Sequence, residues 1–152
     1  MRKLSRRDII IAGAMLVALA PQAEAAEPAD EKSGRVALHG YDPVAYFTDH
    51  KPEKGVATFS ASFDDATYWF KNAEHRALFV ANPDHYAPQF AGFCAVTVSR
   101  GGKYEADPEA WQIAGGKLYV FGDKQVQPYF RAHEATVIAK ANANWPHLRA
   151  EP

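Results

Sequence analysis

The stretch TFSASFDDATYWF, residues 58–70, contains the clearest structural pattern in the chain. Apolar and polar residues alternate over Thr58–Phe63, and this period of two predicts a strand with one buried face. Ala66–Phe70 predicts a second strand, and Asp64-Asp65 supplies the two-residue turn between them. We therefore expect an antiparallel hairpin here.

A helix is expected directly after this hairpin. Asn72 is placed to cap it, and Glu74 lies in its first turn, where the helix dipole favours a carboxylate. Asn82-Pro83 ends it, which gives a helix over Ala73–Ala81. The sequence thus predicts a strand–turn–strand–helix unit.

Three further patterns complete the expected fold. Phe93–Val98 is rich in β-branched residues and predicts a strand. Ala110–Ala114 and Lys117–Phe121, joined at Gly115-Gly116, predict a second hairpin. From Asp123 onward apolar residues recur near helical spacing, which predicts a closing amphipathic helix. We expect a small α+β domain of antiparallel strands, and we detect no internal repeat.

The amino-terminal segment has the layout of a secretory signal. A basic start with Arg6-Arg7 precedes an apolar run and the small-x-small pattern Ala23-Glu24-Ala25. The adjacent arginines are the signature of the twin-arginine export pathway of bacteria. We therefore expect a signal peptide over residues 1–25, a flexible leader over 26–35 and a folded periplasmic domain over 36–148.

The protein left after cleavage is small and mildly acidic. Residues 1–25 carry four basic and two acidic side chains, and the whole chain has a net charge of −1, so the remaining 127 residues carry −3. This length suits one compact domain, and nothing basic remains to bind nucleic acid. The apolar run Ile9–Ala20 is shorter than the roughly 20 residues that a spanning helix needs, so we expect no stable membrane insertion after cleavage.

Cys94 is the single cysteine, so no disulfide can form within the chain. In an exported protein a lone thiol stays free, pairs with another molecule or ligates a metal. On the predicted strand it would share a face with Val96 and Val98, where a buried, inert cysteine is common. Its place at the start of that strand, just after a glycine-containing bend, also lets the thiol reach a cleft.

Two histidines are candidates to approach Cys94. His39 precedes a glycine, and His85 lies nine residues before the cysteine. Neither spacing matches a zinc motif, so spacing alone does not predict a metal site. We expect His75 to face solvent on its helix and His133 to be half-buried on the apolar side of the last helix.

The segment Val36–Phe47 is rich in apolar and aromatic residues but is interrupted by Gly40 and by Asp42-Pro43. This pattern predicts a buried, turned segment rather than a plain helix or strand. An aspartate before proline is typically a turn former whose carboxylate accepts hydrogen bonds from nearby amides. The alternative is that Asp42 orients His39 or a bound ion.

The common catalytic and nucleotide-binding motifs are missing from the sequence. The chain contains no GxSxG, HExxH, phosphate loop, dinucleotide fingerprint or CxxCH haem attachment site. No motif therefore supports a hydrolase, kinase or nicotinamide dehydrogenase function. On balance the sequence favours a protein that is not an enzyme.

Four motifs together resemble the exported bacterial YHS-domain proteins. They are HGYDPVAY (39–46), ATYWF (66–70), YAPQFAGFCA (86–95) and NWP (144–146). The Tyr-His-Ser triplet of the family's name is replaced here by Tyr86-Ala87-Pro88. Related small modules occur in metal-handling proteins, so the resemblance implies a YHS-like fold and a soft metal such as copper. Some relatives carry selenocysteine at the position of Cys94, which implies a reactive chalcogen there.

The leading hypothesis is a periplasmic metal- or cofactor-binding module in which Cys94 ligates the metal with His39 as its partner, supported by Tyr41 and Asp42. Copper is the first candidate because thiolate and imidazole suit Cu(I). Two alternatives stay open. One is a thiol redox protein that passes through a sulfenic acid or mixed disulfide at Cys94. The other is a non-catalytic domain that binds a partner through its aromatic surface.

Overall fold

The computed structural model describes residues 34–152, so the predicted signal peptide and the predicted leader up to Ser33 lie outside the described residues. The described part combines two antiparallel hairpins, several short helices and a long C-terminal helix, and it confirms the predicted α+β fold class. Within residues 34–152, no helix has both the length and the apolar character needed to cross a membrane.

The segment before the first hairpin is buried and turned, as predicted. A 3₁₀ turn over Ala37–Gly40 is followed by the helix α1, Ala45–Thr48. The last three residues of this turn have positive φ, a conformation that favours glycine. Gly40 is also needed for space, because a Cβ there would lie 2.6 Å from Cε3 of Trp69.

The first hairpin and its helix follow the predicted order. Strand β1 spans Val56–Phe63, strand β2 spans Ala66–Phe70, and helix α2 spans Ala73–Ala81. The two strands pair antiparallel, with a bulge near the start of β1. The Asn72 side chain accepts a hydrogen bond from the His75 amide and so caps α2, as expected.

The region around Cys94 is helical, so the predicted strand over residues 93–98 is wrong. Helix α3, Pro83–Tyr86, and a 3₁₀ turn over Gln89–Gly92 lead to helix α4, Ala95–Ser99, whose N-cap is Cys94. The buried residues of α4 follow the spacing of a helix and not a period of two. Packing of that face therefore outweighs the β-preference of its valines. These residues are Ala95, Val96, Val98 and Ser99.

The second hairpin and the closing helix are confirmed. Strand β3 spans Asp107–Ala114 and strand β4 spans Lys117–Phe121. A 3₁₀ turn over Lys124–Val126 leads into helix α5, Gln127–Ala150, with Pro128 in its first turn, where a proline is tolerated.

The described chain contains an internal structural repeat, which corrects the expectation that there is none. A shift of 51 residues, from Val56 to Asp107, carries the first hairpin onto the second with the same paired positions and the same bulge. A shift of 52 residues carries Ala37–Gly40 onto Gln89–Gly92 with the same run of positive φ. We call residues 36–81 the first unit and residues 88–132 the second unit.

Core residues of the two units also correspond. Three buried aromatic positions are identical in residue type and in place, and each set belongs to one of two hydrophobic clusters. These pairs are Tyr68 and Tyr119, Phe70 and Phe121, and Phe79 and Phe130. The cluster around the first set also contains Leu118 and Val120 of the second unit.

Helix α5 is longer than its counterpart α2, and the additional residues lie at its C-terminal end. The backbone of α5 leaves helical geometry at His133, the position that corresponds to Asn82, where α2 ends. Residues 134–150 therefore form an appended helix without a counterpart in the first unit. Trp145 on this helix packs against both hydrophobic clusters and joins the two units.

Candidate functional site

Asp42 is fully buried, and its carboxylate is surrounded by hydrogen-bond donors of the first unit. Oδ1 accepts from the Val44 amide at 2.8 Å, and Oδ2 accepts from the Lys71 amide at 2.9 Å. Nδ1 of His75 lies 2.8 Å from Oδ2. Asp42 therefore closes a turn with its carboxylate, and the histidine that it contacts is His75 and not His39.

His75 is only 6% exposed, so the prediction that it faces solvent is wrong. The physical reason is the buried carboxylate of Asp42, which gives the ring a polar partner inside the core. On its other side, Nε2 lies 3.4 Å from Oγ1 of the exposed Thr48. These contacts tie α2 to α1 and to the end of β2, and we interpret them as a structural clamp.

A surface ion pair flanks this clamp. The ammonium group of Lys71 donates a hydrogen bond to the Asp49 carboxylate. This bond lowers the pKa of Asp49 and raises the pKa of Lys71, because each charge stabilises the other.

Cys94 occupies in the second unit the place that Asp42 occupies in the first. Its amide donates to the Tyr104 carbonyl at 2.9 Å, as the Asp42 amide donates to the Glu53 carbonyl at 2.8 Å. Each residue follows a glycine–aromatic pair at the end of a 3₁₀ turn. The lone thiol is therefore placed where the repeat holds a carboxylate.

The side chains beside the thiol are smaller than those beside Asp42. Gly122 corresponds to Lys71, and Val126 corresponds to His75, so the second unit has no imidazole at this place. A Cβ built on Gly122 would lie 4.0 Å from the cysteine Sγ. The thiol itself makes no capping hydrogen bond to α4.

Tyr104 and the thiol both lie near Gly122. A Cβ built on Gly122 would lie 3.0 Å from Cε1 of Tyr104 and 4.0 Å from Sγ. Tyr104 is 60% exposed, whereas Cys94 is 2% exposed. The thiol is therefore buried, while the ring near it lies at the surface.

The four predicted site residues lie in different surroundings. His39 is exposed at the 3₁₀ turn of the first unit, whereas Cys94 is buried in the cluster of the second. Tyr41 is partly buried, and Nζ of Lys54 lies 4.8 Å from its ring centroid. Among residues 34–152, no group of three or more His, Cys, Asp or Glu side chains could hold a metal ion. The described residues therefore provide no ready-made site with three such ligands.

The two other histidines that the sequence singled out are on the surface. His133 is exposed, so the prediction that it is half-buried is wrong. The bend of α5 at this residue turns its ring outward, where it stacks on Tyr129 with 4.4 Å between the ring centroids. His85 is also exposed, and its ring contacts Phe47 and Tyr86.

Two buried tyrosine hydroxyls have different partners. Oη of Tyr46 donates to the Pro108 carbonyl at 2.9 Å and so links the first unit to β3. Oη of Tyr68 has no hydrogen-bond partner among the described residues. Burial raises the pKa of both side chains well above the ordinary value of 10.0, because the charged phenolate is disfavoured in the core.

Comparisons with models of known protein families, with curated proteins and with solved structures found no match. Membership of the YHS family, export by the twin-arginine pathway and the metal therefore stay predictions. So do the boundaries at residues 25 and 35.

The sequence does contain a signal for the relation between Asp42 and Cys94. The pattern Tyr-x-Phe followed nine residues later by Phe occurs at residues 68–79 and again at 119–130. Aligning these two copies, and then Gly40 with Gly92, places Cys94 opposite Asp42. The repeat is weak in the sequence because the two units share few other residues.

Proposed function

We propose that this protein is a periplasmic YHS-type binding module that takes a soft metal ion, with copper as the first candidate, through Sγ of Cys94. The observation that supports this most is the correspondence of Cys94 with Asp42. The same local backbone carries a buried carboxyl side chain in the first unit and the single cysteine of the chain in the second. A cysteine sulfur is a preferred ligand of Cu(I).

A single sulfur does not complete the coordination of a metal ion, so the proposal needs further donors. His39 is the partner that the sequence suggests, and its side chain is exposed. A second protein chain, or a small ligand that arrives with the metal, would supply further donors. Tyr41 and Asp42 would support such a site by fixing the turn that carries His39.

The predicted export route favours a Cys94 site that already holds a ligand when the protein leaves the cytoplasm. Substrates of the twin-arginine pathway cross the membrane already folded, often around a cofactor that was loaded in the cytoplasm. The predicted signal at Arg6-Arg7 therefore favours a ligand that Cys94 acquires before export.

Metal stoichiometry and Cu(I) affinity test the proposal in four proteins: wild type, Cys94→Ala, His39→Ala and His147→Ala. We expect wild type to bind one copper ion per chain, Cys94→Ala to lose it and His39→Ala to bind it more weakly. His147 is an exposed histidine of α5 and serves as the matched control. Equal stoichiometric binding by wild type, Cys94→Ala and His39→Ala would contradict the proposal.

The same variants separate the two alternative functions. A thiol redox protein requires fast reaction of the native Cys94 with peroxide or disulfides, and such access needs the packing around the buried thiol to open. A partner-binding domain that uses exposed rings such as Tyr104 and Tyr129 keeps its binding in Cys94→Ala.

A further inference from the structure

A cleft of about 380 Å³ opens between the appended helix and the 3₁₀ turn of the second unit. The rings of Phe93 and Trp145 pack against each other, with 6.1 Å between their centroids, and together form an aromatic wall of the cleft. An adjoining cavity of about 290 Å³ shares Trp145 and Arg149 with the cleft. Both volumes suit a small molecule, since ligand pockets run from roughly 300 to 1,000 Å³.

The cleft depends on a part of the chain that the repeat does not include. Trp145 and Arg149 belong to the appended helix, which the first unit lacks. Arg149 is held by Asp64 at 2.5 Å and by Asp65 at 2.8 Å, both in the turn of the first hairpin. This pairing connects the end of the appended helix to the first unit beside the cleft.

The turn of the first hairpin supplies both carboxylates. Asp64 and Asp65 have positive φ, at 52° and 60°, as a two-residue hairpin turn of this kind requires, and aspartate tolerates this conformation. The corresponding turn of the second hairpin uses Gly115-Gly116. The first hairpin therefore carries two carboxylates, both bound to Arg149, where the second hairpin has glycines.

Two basic side chains lie near the Phe93 ring, in a cleft whose lining also includes Asp64, Asp65 and Glu151. The Arg35 guanidinium lies 3.8 Å from the Phe93 ring centroid, and the Lys103 ammonium lies 5.8 Å from it. Arg35 is paired with the Glu105 carboxylate. Lys103 donates to the main-chain oxygens of Glu151 and Pro152, and no side-chain carboxylate among the described residues forms an ion pair with it.

We propose that this cleft binds a small amphipathic anion, with an aromatic ring against Phe93 and Trp145 and a carboxylate on Lys103. The ring would bury apolar surface, and the carboxylate would gain a charge-assisted hydrogen bond from the ammonium. Cys94 is not among the residues that line the cleft, so this site is independent of the proposed metal function.

The test is a titration with 1-naphthoate followed by ¹H–¹⁵N NMR. The chain has three tryptophans, and their side-chain indole signals report on three places. We expect saturable shifts of the Trp145 indole and of the Phe93 and Lys103 amides, with unchanged indoles of Trp69 and Trp111. Shifts centred elsewhere, or no saturation at about 10 mM, a concentration beyond even weak binding, would overturn the site.

Charge variants test the ligand class. Lys103→Gln should weaken 1-naphthoate binding several-fold, Glu151→Gln should strengthen it, and Lys140→Gln, an exposed lysine on α5, should not change it. The neutral analogue 1-naphthamide should bind wild type about as weakly as 1-naphthoate binds Lys103→Gln. Equal affinity of both probes for wild type would overturn the preference for an anion. Cys94→Ala should bind 1-naphthoate as wild type does, which separates this result from the metal experiment.

Discussion

Cys94 and Asp42 are equivalent residues of two structurally repeated units, related by a shift of 52 positions. Each donates its amide to a carbonyl on the loop that leads into its own hairpin, at 2.9 and 2.8 Å. One carries a thiol and the other a carboxylate that accepts hydrogen bonds from two amides and contacts an imidazole. The equivalence predicts how each position responds to substitution.

A carboxylate at position 94 should be accepted by the fold. In Cys94→Asp, the Val96 and Gly122 amides correspond to the amides of Val44 and Lys71, which bind the Asp42 carboxylate. We expect Cys94→Asp to be more stable than Cys94→Ala by about 1 kcal/mol, the size of a helix N-cap contribution. Urea unfolding of both variants measures the difference. A Cys94→Asp protein that is the less stable of the two would refute the equivalence of the two sites.

Substitution of Asp42 should be strongly destabilising. Asp42→Asn replaces an acceptor oxygen by an NH₂ group that faces the Lys71 amide or the His75 ring, so a buried polar contact is lost. We expect a loss of about 3–5 kcal/mol, as for removal of one partner from a buried pair. Asp49→Asn is the matched control, since it breaks only the surface pair with Lys71 and should cost much less. Similar unfolding midpoints for the two variants would argue against the clamp.

Two glycines with the same φ should respond differently to alanine. Gly40 has φ of +79° and Gly116 has φ of +75°, so both replacements meet the same backbone penalty of about 1–2 kcal/mol. A Cβ at Gly40 also meets the Trp69 ring at 2.6 Å, whereas nothing lies within 4 Å of a Cβ at Gly116. Gly40→Ala should therefore be the more destabilising by a further 1–3 kcal/mol or so. Thermal unfolding of both variants tests this, and equal losses would contradict the close packing.

The two buried tyrosines should respond in opposite directions to loss of the hydroxyl. Tyr68→Phe removes a buried hydroxyl without a partner and should stabilise the protein by about 1 kcal/mol. Tyr46→Phe leaves the Pro108 carbonyl without its donor and should destabilise it by a similar amount. Denaturant titrations of the two variants compare the signs. A destabilised Tyr68→Phe protein would show that its hydroxyl has a partner.

Alkaline pH should unfold the protein as the buried tyrosines ionise. Burial raises the folded-state pKa of Tyr46, Tyr68 and Tyr119 above the ordinary value of 10.0. A raised pKa means that the folded state binds the proton more tightly, so this stability is complete below pH 10 and is lost as the pH rises above it. Over the pH range in which the buried tyrosines ionise, tyrosinate absorbance and far-ultraviolet circular dichroism should therefore change together. Full ionisation of all seven tyrosines without unfolding would contradict this.

Local patterns predicted most of the secondary structure. Strict alternation at β1, the Asn72 cap and the glycine pair between β3 and β4 are short-range signals, and each appears in the structure where it was expected. The segment after Cys94 was predicted wrongly because its valines favour a strand locally, while burial of one helical face is decided by the packing of α5.

The features that the sequence does not predict depend on contacts between residues that are far apart in the chain. Asp42 and His75 are 33 residues apart and meet only after the first hairpin has formed. The repeat that relates Asp42 to Cys94 is carried by backbone geometry and by few shared residues, so a single sequence shows it only weakly. For the same reason, the role of Trp145 in joining the two units follows from tertiary packing alone.

The most direct test of the central claim is copper K-edge X-ray absorption on wild type and Cys94→Ala, each loaded with one equivalent of Cu(I) under reducing conditions. We predict a sulfur scatterer in the first coordination shell of wild type and its loss in Cys94→Ala. A wild-type spectrum with only nitrogen and oxygen neighbours, or the same sulfur contribution in both proteins, would contradict the assignment of Cys94 as the metal ligand.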